Sequence, residues 1–248
     1  DGGHFLNVNA AVERALLMQE EGADILDIGG ESTRPGAEPV SHQQEMERVI
    51  PVIEKLKGRL SIPVSIDTYK ADIAKEALDA GAHIVNDISG LHFDQNMPET
   101  VAKFDAGIII MHIKGTPRDM QNDPHYKNVL KENQDYLLDG VRREREAGIS
   151  NGNIVIDPGL GFGKRHKDNL TLVRNLHEFR KLGYPVLAGP SRKSFIGKIQ
   201  NLPPSQRLEG TIAAVTACIL NGANIVRVHD VRQIKRAVII ADQIVYSG

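Results

Sequence analysis

Seven short runs rich in Ile, Val and Leu recur along the chain, each leading toward a longer amphipathic stretch, and no other feature restricts the fold so much. The runs lie at 24–28, 64–67, 84–86, 108–111, 154–156, 186–188 and 225–228. They are continuous rather than alternating, as strands covered on both faces should be. The amphipathic stretches fall near 9–21, 41–58, 69–80, 97–104, 127–147, 167–182, 205–220 and 231–245. Strands that alternate with helices in this way imply repeated βα units and a parallel sheet. Ser41 with Gln44 three residues on has the spacing of a capping box at one helix start. Gly22, Gly81, Gly107, Gly152, Gly183 and Gly222 sit just before strands, where each could end a helix in the left-handed conformation. The phrases Gly22-Ala23-Asp24-Ile25, Gly81-Ala82-His83-Ile84 and Gly222-Ala223-Asn224-Ile225 look like one αβ joint used three times.

The pattern holds eight helices but only seven strands, and the chain opens on Asp1-Gly2-Gly3 with a helix to come. The simplest expectation is a single-domain α/β protein over residues 1–248, a (β/α)8 TIM barrel whose strand 1 lies upstream of residue 1. An open doubly wound sheet is the runner-up, but no Gly-rich dinucleotide fingerprint follows a strand.

The strand ends are polar. They carry Asp27, Asp67, Asn86-Asp87, His112, Asp157, Ser191-Arg192-Lys193, and Arg227 with His229. A barrel enzyme builds its site on that face, from the loops that follow the strands. Asp and Asn capping the next helix would explain one or two of these residues, not carboxylates, cations and a histidine on nearly every strand. Composition narrows the partners. With 30 Lys+Arg against 32 Asp+Glu, 4% aromatic residues and no Trp, neither a nucleic-acid surface nor a base-stacking platform is expected. No apolar stretch nears the ~20 residues of a membrane span, and no secretory leader opens the sequence. Cys218, the one cysteine, sits in an apolar run as a small hydrophobe and fits a reducing compartment, so a soluble cytoplasmic protein is expected.

Four motifs carry candidate chemistry, each with an ordinary alternative. Residues 27–36, Asp-Ile-Gly-Gly-Glu-Ser-Thr-Arg-Pro-Gly, offer the hydroxyl of Thr33 and the forked cation of Arg34 to an anion, or form a surface turn with a salt bridge. Residues 157–164, Asp-Pro-Gly-Leu-Gly-Phe-Gly-Lys, have the wrong glycine spacing for a P-loop. They set Phe162 against a ligand or, equally, into the core. Ser191-Arg192-Lys193-Ser194 places two cations beside two hydroxyls, as a solvated basic turn also would. Arg227 and His229, two apart, share one side of an extended segment and could hold a phosphate beside the next helix. Alternatively, His229 simply bonds Asp230 at the helix start. No His/Cys/Asp spacing suggests structural zinc.

Together these motifs resemble the dihydropteroate synthase family. The resemblance runs in order through 29–36, Ser65-Ile66-Asp67-Thr68-Tyr69-Lys70, Ile84-Val85-Asn86-Asp87-Ile88, Met111-His112, 157–164, 191–195 and 227–230. It implies condensation of 6-hydroxymethyl-7,8-dihydropterin pyrophosphate with p-aminobenzoate, giving 7,8-dihydropteroate and pyrophosphate, with Mg2+, in a sulfonamide-target enzyme that is a homodimer. By the same resemblance Asp67, Asn86, Met111, Asp157, Lys193 and Arg227 hold the pterin, with Asp67, Lys193 and Arg227 closest to the chemistry. Thr33, Arg227 and His229 hold the pyrophosphate, while Arg34, Pro35, Phe162 and Ser194 shape the p-aminobenzoate side. Asp1-Gly2-Gly3 resembles the tail of the family's first loop, whose metal-binding asparagine is expected upstream of this chain. Two other readings share the barrel. A pterin-binding methyltetrahydrofolate–corrinoid methyltransferase domain has no evident use for the loops at 32–35 and 191–193. A non-catalytic paralogue would not need the polar set on six strands. Pyrophosphate release from both substrates separates the three.

Overall fold

The computed structural model describes residues 7–247. The chain winds as α1 (Val8–Glu20), β1 (Leu26–Gly29), α2 (His42–Leu56), β2 (Val64–Asp67), α3 (Ala71–Ala80), β3 (Ile84–Asp87), α4 (Met97–Lys103), β4 (Gly107–Met111) and α5 (Val129–Glu146). It continues as β5 (Ile154–Asp157), α6 (His166–Arg174), α7 (Leu176–Arg180), β6 (Leu187–Ala188), α8 (Ser194–Gln200), α9 (Leu208–Leu220), β7 (Ile225–Val226) and α10 (Val231–Tyr246). Strands β1 to β5 form one parallel sheet in chain order, and β6 pairs with β7, also in parallel. A bridge from Ile156 to Val186 carries the curve from the first sheet to the second. Among the described residues no ladder joins β7 to β1, which leaves a gap in the wall between them. The expectations for Asp1, Gly2 and Gly3 lie outside the described residues.

Strand pleat decides which residues meet the helices. Val64, Ile66, Val85, Ile108, Ile110, Ile154 and Ile156 point outward into the main core with Ile53, Ile73, Val101, Leu137 and Phe179 from the helices. Most are 0% exposed, and fully burying each aliphatic side chain stabilises the fold by roughly 1.5–3 kcal/mol. The alternate positions face into the barrel, and near the carboxyl ends they are Asp27, Asp67, Asn86, Met111 and Asp157. Because all pairings are parallel, these ends share one mouth.

Helix starts and stops are largely local chemistry. Ser41 and Gln44 form the expected capping box on α2. The repeated joint is real: Ala23, Ala82 and Ala223 donate their N–H groups back to Met18, Ala77 and Cys218 after glycines at φ 99°, 123° and 111°. In two of the three its third residue also reaches the neighbouring strand, since His83 Nδ1 and Asn224 Oδ1 accept from the N–H groups of Val64 and Val186, whereas Asp24 accepts from Lys235 of α10. Gly107 and Gly152 do not end helices. Asp105 at φ 48° and Gly148 at φ 95° do so instead, while Gly107 opens β4 and Gly152 lies in the 3-10 turn Asn151–Asn153.

Two helical departures have physical causes. The stretch expected at 167–182 breaks at Asn175, whose side chain donates to the Thr171 carbonyl. Helix α8 was not foreseen because seven residues with a central glycine show no readable period. A Cβ on Gly197 would sit 2.2 Å from the Arg207 guanidinium, so packing rather than helix propensity selects glycine there. No helix of the described residues is long and apolar enough to cross a membrane. Cys218 is fully buried, and burial pushes its thiol up to about 12.

Candidate active site

The mouth gathers charges that no core would assemble without a use. Arg227, following β7, donates from Nε to Asp27 Oδ2 at 2.6 Å and from Nη2 to Asp67 Oδ2 at 3.0 Å, crossing the gap between β7 and β1. Asn86 donates to the same Asp27 oxygen at 3.0 Å. Strand register places Asn86 opposite Asp67 and Asp157 opposite Met111. Gly29, opposite Asp67, has no side chain to crowd it, since a Cβ there would lie 3.2 Å from Asp67 Cβ. Burial first, then the charge of Asp27, raises the Asp67 carboxyl well above its ordinary range, with Arg227 opposing. Burial likewise raises Asp157 to about 6. Lys193 is lowered to about 8 by burial and by Arg227, while Asp157 and Asp67 pull the other way. Carboxylates and an amine displaced toward neutrality in one cleft mark a functional centre rather than a surface network.

The glycine loop after β5 is held from below. Asp157 Oδ1 accepts the Gly159 N–H at 2.7 Å. Gly159 at φ 67° and Gly163 at φ 62° pass so close to β4's extension that a Cβ would lie 2.0 Å from the His112 carbonyl oxygen and 2.4 Å from that of Lys114. Only glycine satisfies both the dihedral and the approach. The loop ends in Lys164, fully buried, whose Nζ meets His112 Nδ1 at 2.9 Å and donates to the carbonyls of Phe162 and His112 at 2.9 and 3.3 Å. This fastening sets the Phe162 ring, with Lys193 Nζ lying 4.1 Å from its centroid. Phe162 and Met111 share an apolar cluster with Ile88, Ile113 and Met120. His112 is therefore a fastening group, and neighbouring Asp87 bonds Ser89 and Leu91 to shape its own loop.

The loop after β1 is anchored at its base and open at its tip. Glu31 Oε2 accepts from Lys70 Nζ at 2.7 Å and from the Val40 N–H at 3.0 Å, and Oε1 accepts from Tyr69. Lys70 also donates to buried Glu45 at 2.6 Å. Beyond this base Arg34 and Pro35 are exposed and Thr33 is half-buried, while Gly36 donates to the Pro117 carbonyl. The structure makes no hydrogen bond or ion pair from the Arg34 side chain to any described residue. Ser194 is exposed at the start of α8.

The β6 and β7 ends are tied together. Ser191 Oγ and His229 Nδ1 are 2.8 Å apart, and Arg192 forks onto the Asp230 carboxylate from Nε at 3.0 Å and Nη2 at 2.5 Å. His229 thus bonds Ser191, not Asp230, and it precedes the N-cap of α10 as expected. Burial, with positive charge around it, pushes His229 down to about 4, so the ring is neutral near pH 7.

The profile described as "Pterin binding enzyme" matches residues 1–229. The chain belongs to the pterin-binding enzyme family. Among its relatives in that family, dihydropteroate synthase of Synechocystis is 47% identical over 243 residues, covering 98% of this chain and 84% of the relative. The Bacillus subtilis dihydropteroate synthase is 45% identical, with 100% and 85% covered. A neighbour in structure, dihydropteroate synthase of Clostridium difficile crystallised in the presence of pteroic acid, superposes with a TM-score of 0.92. It is 44% identical, covering 100% of this chain and 92% of its own. The Yersinia pestis enzyme in complex with a sulfonamide drug gives a TM-score of 0.96 at 39% identity, with 100% and 90% covered. The fold is thereby that of the (β/α)8 barrel of the family.

The mouth brings together Asp67, Asn86, Met111, Asp157, Phe162, Lys193 and Arg227. It leaves Arg34, Pro35 and Ser194 on exposed loop positions and joins His229 to the site through Ser191. Sequence reasoning places Asp27 at a polar strand end and at the head of the 27–36 motif but gives it no role in the site. Its legible signal is its place at a strand end two residues before Gly29; the bonds its carboxylate makes to Asn86 and Arg227 come only from the fold.

Proposed function

We propose that this chain is a dihydropteroate synthase, condensing 6-hydroxymethyl-7,8-dihydropterin pyrophosphate with p-aminobenzoate to 7,8-dihydropteroate and pyrophosphate. The observation that carries the reading is the convergence of Asp67, Asn86, Asp157, Lys193 and Arg227 on one barrel mouth in a chain of this family. The corrinoid methyltransferase reading is not favoured, because the Synechocystis and Bacillus subtilis relatives, matched over nearly the whole chain, are dihydropteroate synthases.

In this reading Asp157 accepts from the pterin's amino and ring N–H groups, and Asn86 and Asp67 bond the same heterocycle. Met111 supplies an apolar contact. Arg227 lies against the pterin face and the pyrophosphate. The bond from the pterin methylene to the pyrophosphate oxygen breaks with its electron pair leaving on oxygen. The methylene's positive charge spreads into the ring, where the buried carboxylates stabilise it, and Arg227, Thr33 and His229 stabilise the leaving group. The aromatic amine of p-aminobenzoate then forms the carbon–nitrogen bond and loses a proton. Phe162, Arg34, Pro35 and Ser194 bound the space from which it attacks. No protein nucleophile takes part.

Magnesium fits this chain in a limited way. Among the described residues no three His, Cys, Asp or Glu side chains gather as a metal cage; Mg2+ in phosphate-binding sites is commonly held by substrate phosphate oxygens and water with one or two carboxylates. Asp27 Oδ1, buried and without a partner, is an oxygen suited to the ion or to one of its waters. When bound, the ion would offset charge on the departing pyrophosphate.

A homodimer is proposed on the same footing. Ile239, Ile240 and Ile244 of α10 are exposed, together with Leu220 at the end of α9. A second copy covering this face would account for the exposed apolar side chains. Sedimentation should then give twice the monomer mass, and Ile240→Glu should return the monomer.

Purified protein given both substrates and Mg2+ should release pyrophosphate and form dihydropteroate in equal amounts. Folded protein that releases neither would overturn the assignment.

A further inference from the structure

We infer that Ser191 is a positioning residue that selects the tautomer of His229, so that the ring presents an Nε2–H donor to the leaving pyrophosphate. The inference rests on the proposed role of His229 and deepens it. The structure supplies its own proton count. Ser191 is 3% exposed, and its hydroxyl has one hydrogen and two lone pairs. One lone pair accepts the backbone N–H of His229 at 3.3 Å, and the other short contact is to His229 Nδ1 at 2.8 Å.

If Nδ1 carried the ring proton, it would have to donate to Ser191 Oγ. That oxygen would then accept twice, and its own hydrogen would be buried with no acceptor among the described residues. A buried donor left unmade costs more than the bond it forgoes. With the hydroxyl donating to Nδ1, every proton in the pair is used and the ring proton must sit on Nε2. That nitrogen has no partner among the described residues and is the one left to reach a ligand. A neutral histidine presents a donor at one nitrogen only, and the bond made at the other chooses which.

The support around the pair is rigid. The Arg192–Asp230 ion pair clamps the same two loops, with Arg192 held at φ 56° and its N–H bonded to Thr211 Oγ1 at 3.1 Å. Arg14 of α1 reaches the His229 carbonyl at 3.3 Å. Ser191 therefore adjusts the ring's proton rather than the loop's path. The hydroxyl comes from the end of β6 and the ring from the end of β7, so no local sequence pattern joins them.

The experiment uses the whole chain labelled with 15N-histidine. In ligand-free protein near pH 7.5, the nitrogen shifts of His229, assigned with His229→Asn, should report the Nε2–H form. Ser191→Ala should move it to a mixture or to the Nδ1–H form, and Ser191→Thr, which keeps the hydroxyl, should restore it. Titration with inorganic pyrophosphate and Mg2+ should show Ser191→Ala weakened about five-fold, the loss of one oriented hydrogen bond. Ser191→Ala should have little further effect in a His229→Asn background. An Nδ1–H ring in the unsubstituted protein, or an unchanged tautomer in Ser191→Ala, would overturn the inference. Absence of pyrophosphate binding to unsubstituted protein would instead remove the anion role of His229, and with it the use of the tautomer. The ligand-free spectra separate the two failures.

Discussion

Replacing Asp157 with Asn exchanges one oxygen for an NH2 group and leaves the outline of the site unchanged, which makes it a sharp perturbation. Asp157 is 6% exposed, and its Oδ1 holds the Gly159 N–H at 2.7 Å. An amide can keep that bond by pointing its carbonyl at Gly159. Its NH2 then faces the pterin's own N–H donors, and a buried donor opposite a donor forfeits the bond and leaves both unsatisfied. Such a loss costs ~1–3 kcal/mol, roughly a factor of five to a hundred in affinity. Calorimetry with the pterin substrate at pH 8 should show that weakening while circular dichroism shows an unchanged fold. The pH dependence supplies a second reading. With Asp157 raised to about 6, the accepting carboxylate is present above that pH and is lost as pH falls through it, so affinity of the unsubstituted protein should decline below about 6. Asp157→Asn should abolish that contribution. The folded value lies above the ordinary 3.8, so the folded state holds the proton more tightly than the unfolded chain between the two values. The burial penalty of this one group is therefore relieved as pH falls through that window and is complete above it. Equal pterin affinity in the two proteins at pH 8 would take Asp157 out of the binding site.

Three further outcomes are expected. Lys70→Met should strip the shared cation from Glu31 and Glu45, whose side chains are 6% and 1% exposed, and lower stability by ~3–5 kcal/mol in urea unfolding; an unchanged midpoint would show that the cluster is not an anchor. Gly159→Ala should cost roughly 1–3 kcal/mol from its φ of 67° alone, before the 2.0 Å approach to the His112 carbonyl oxygen is counted, and so lower Tm. Because one loop carries Thr33 and the Arg34-Pro35 pair, pyrophosphate with Mg2+ should tighten p-aminobenzoate binding by ordering it. Titrations that agree with and without pyrophosphate would refute that coupling.

The sequence by itself determined the alternation of strands and helices and most of the polar strand ends that form the mouth. Apolar runs bounded by glycines can be read as strands because their chemistry is local, and parallel strands bring their carboxyl ends to one side whatever the helices between them do. That is why Asp67, Asn86, Asp157 and Arg227 could be read as polar strand ends, while their roles at the site came from the family resemblance. The αβ joint was legible for the same reason, since a glycine and the two residues after it form a complete structural unit. Only the tertiary structure decided the pairings. Asp27 meets Arg227 from 200 residues away, and Ser191 meets His229 from 38. Lys70, read as part of a strand-end motif, turned out to bind two carboxylates on other elements, and Lys164 a buried histidine. A side chain's charge is written in its own position, but its pKa and proton arrangement depend on which distant groups exclude water from it.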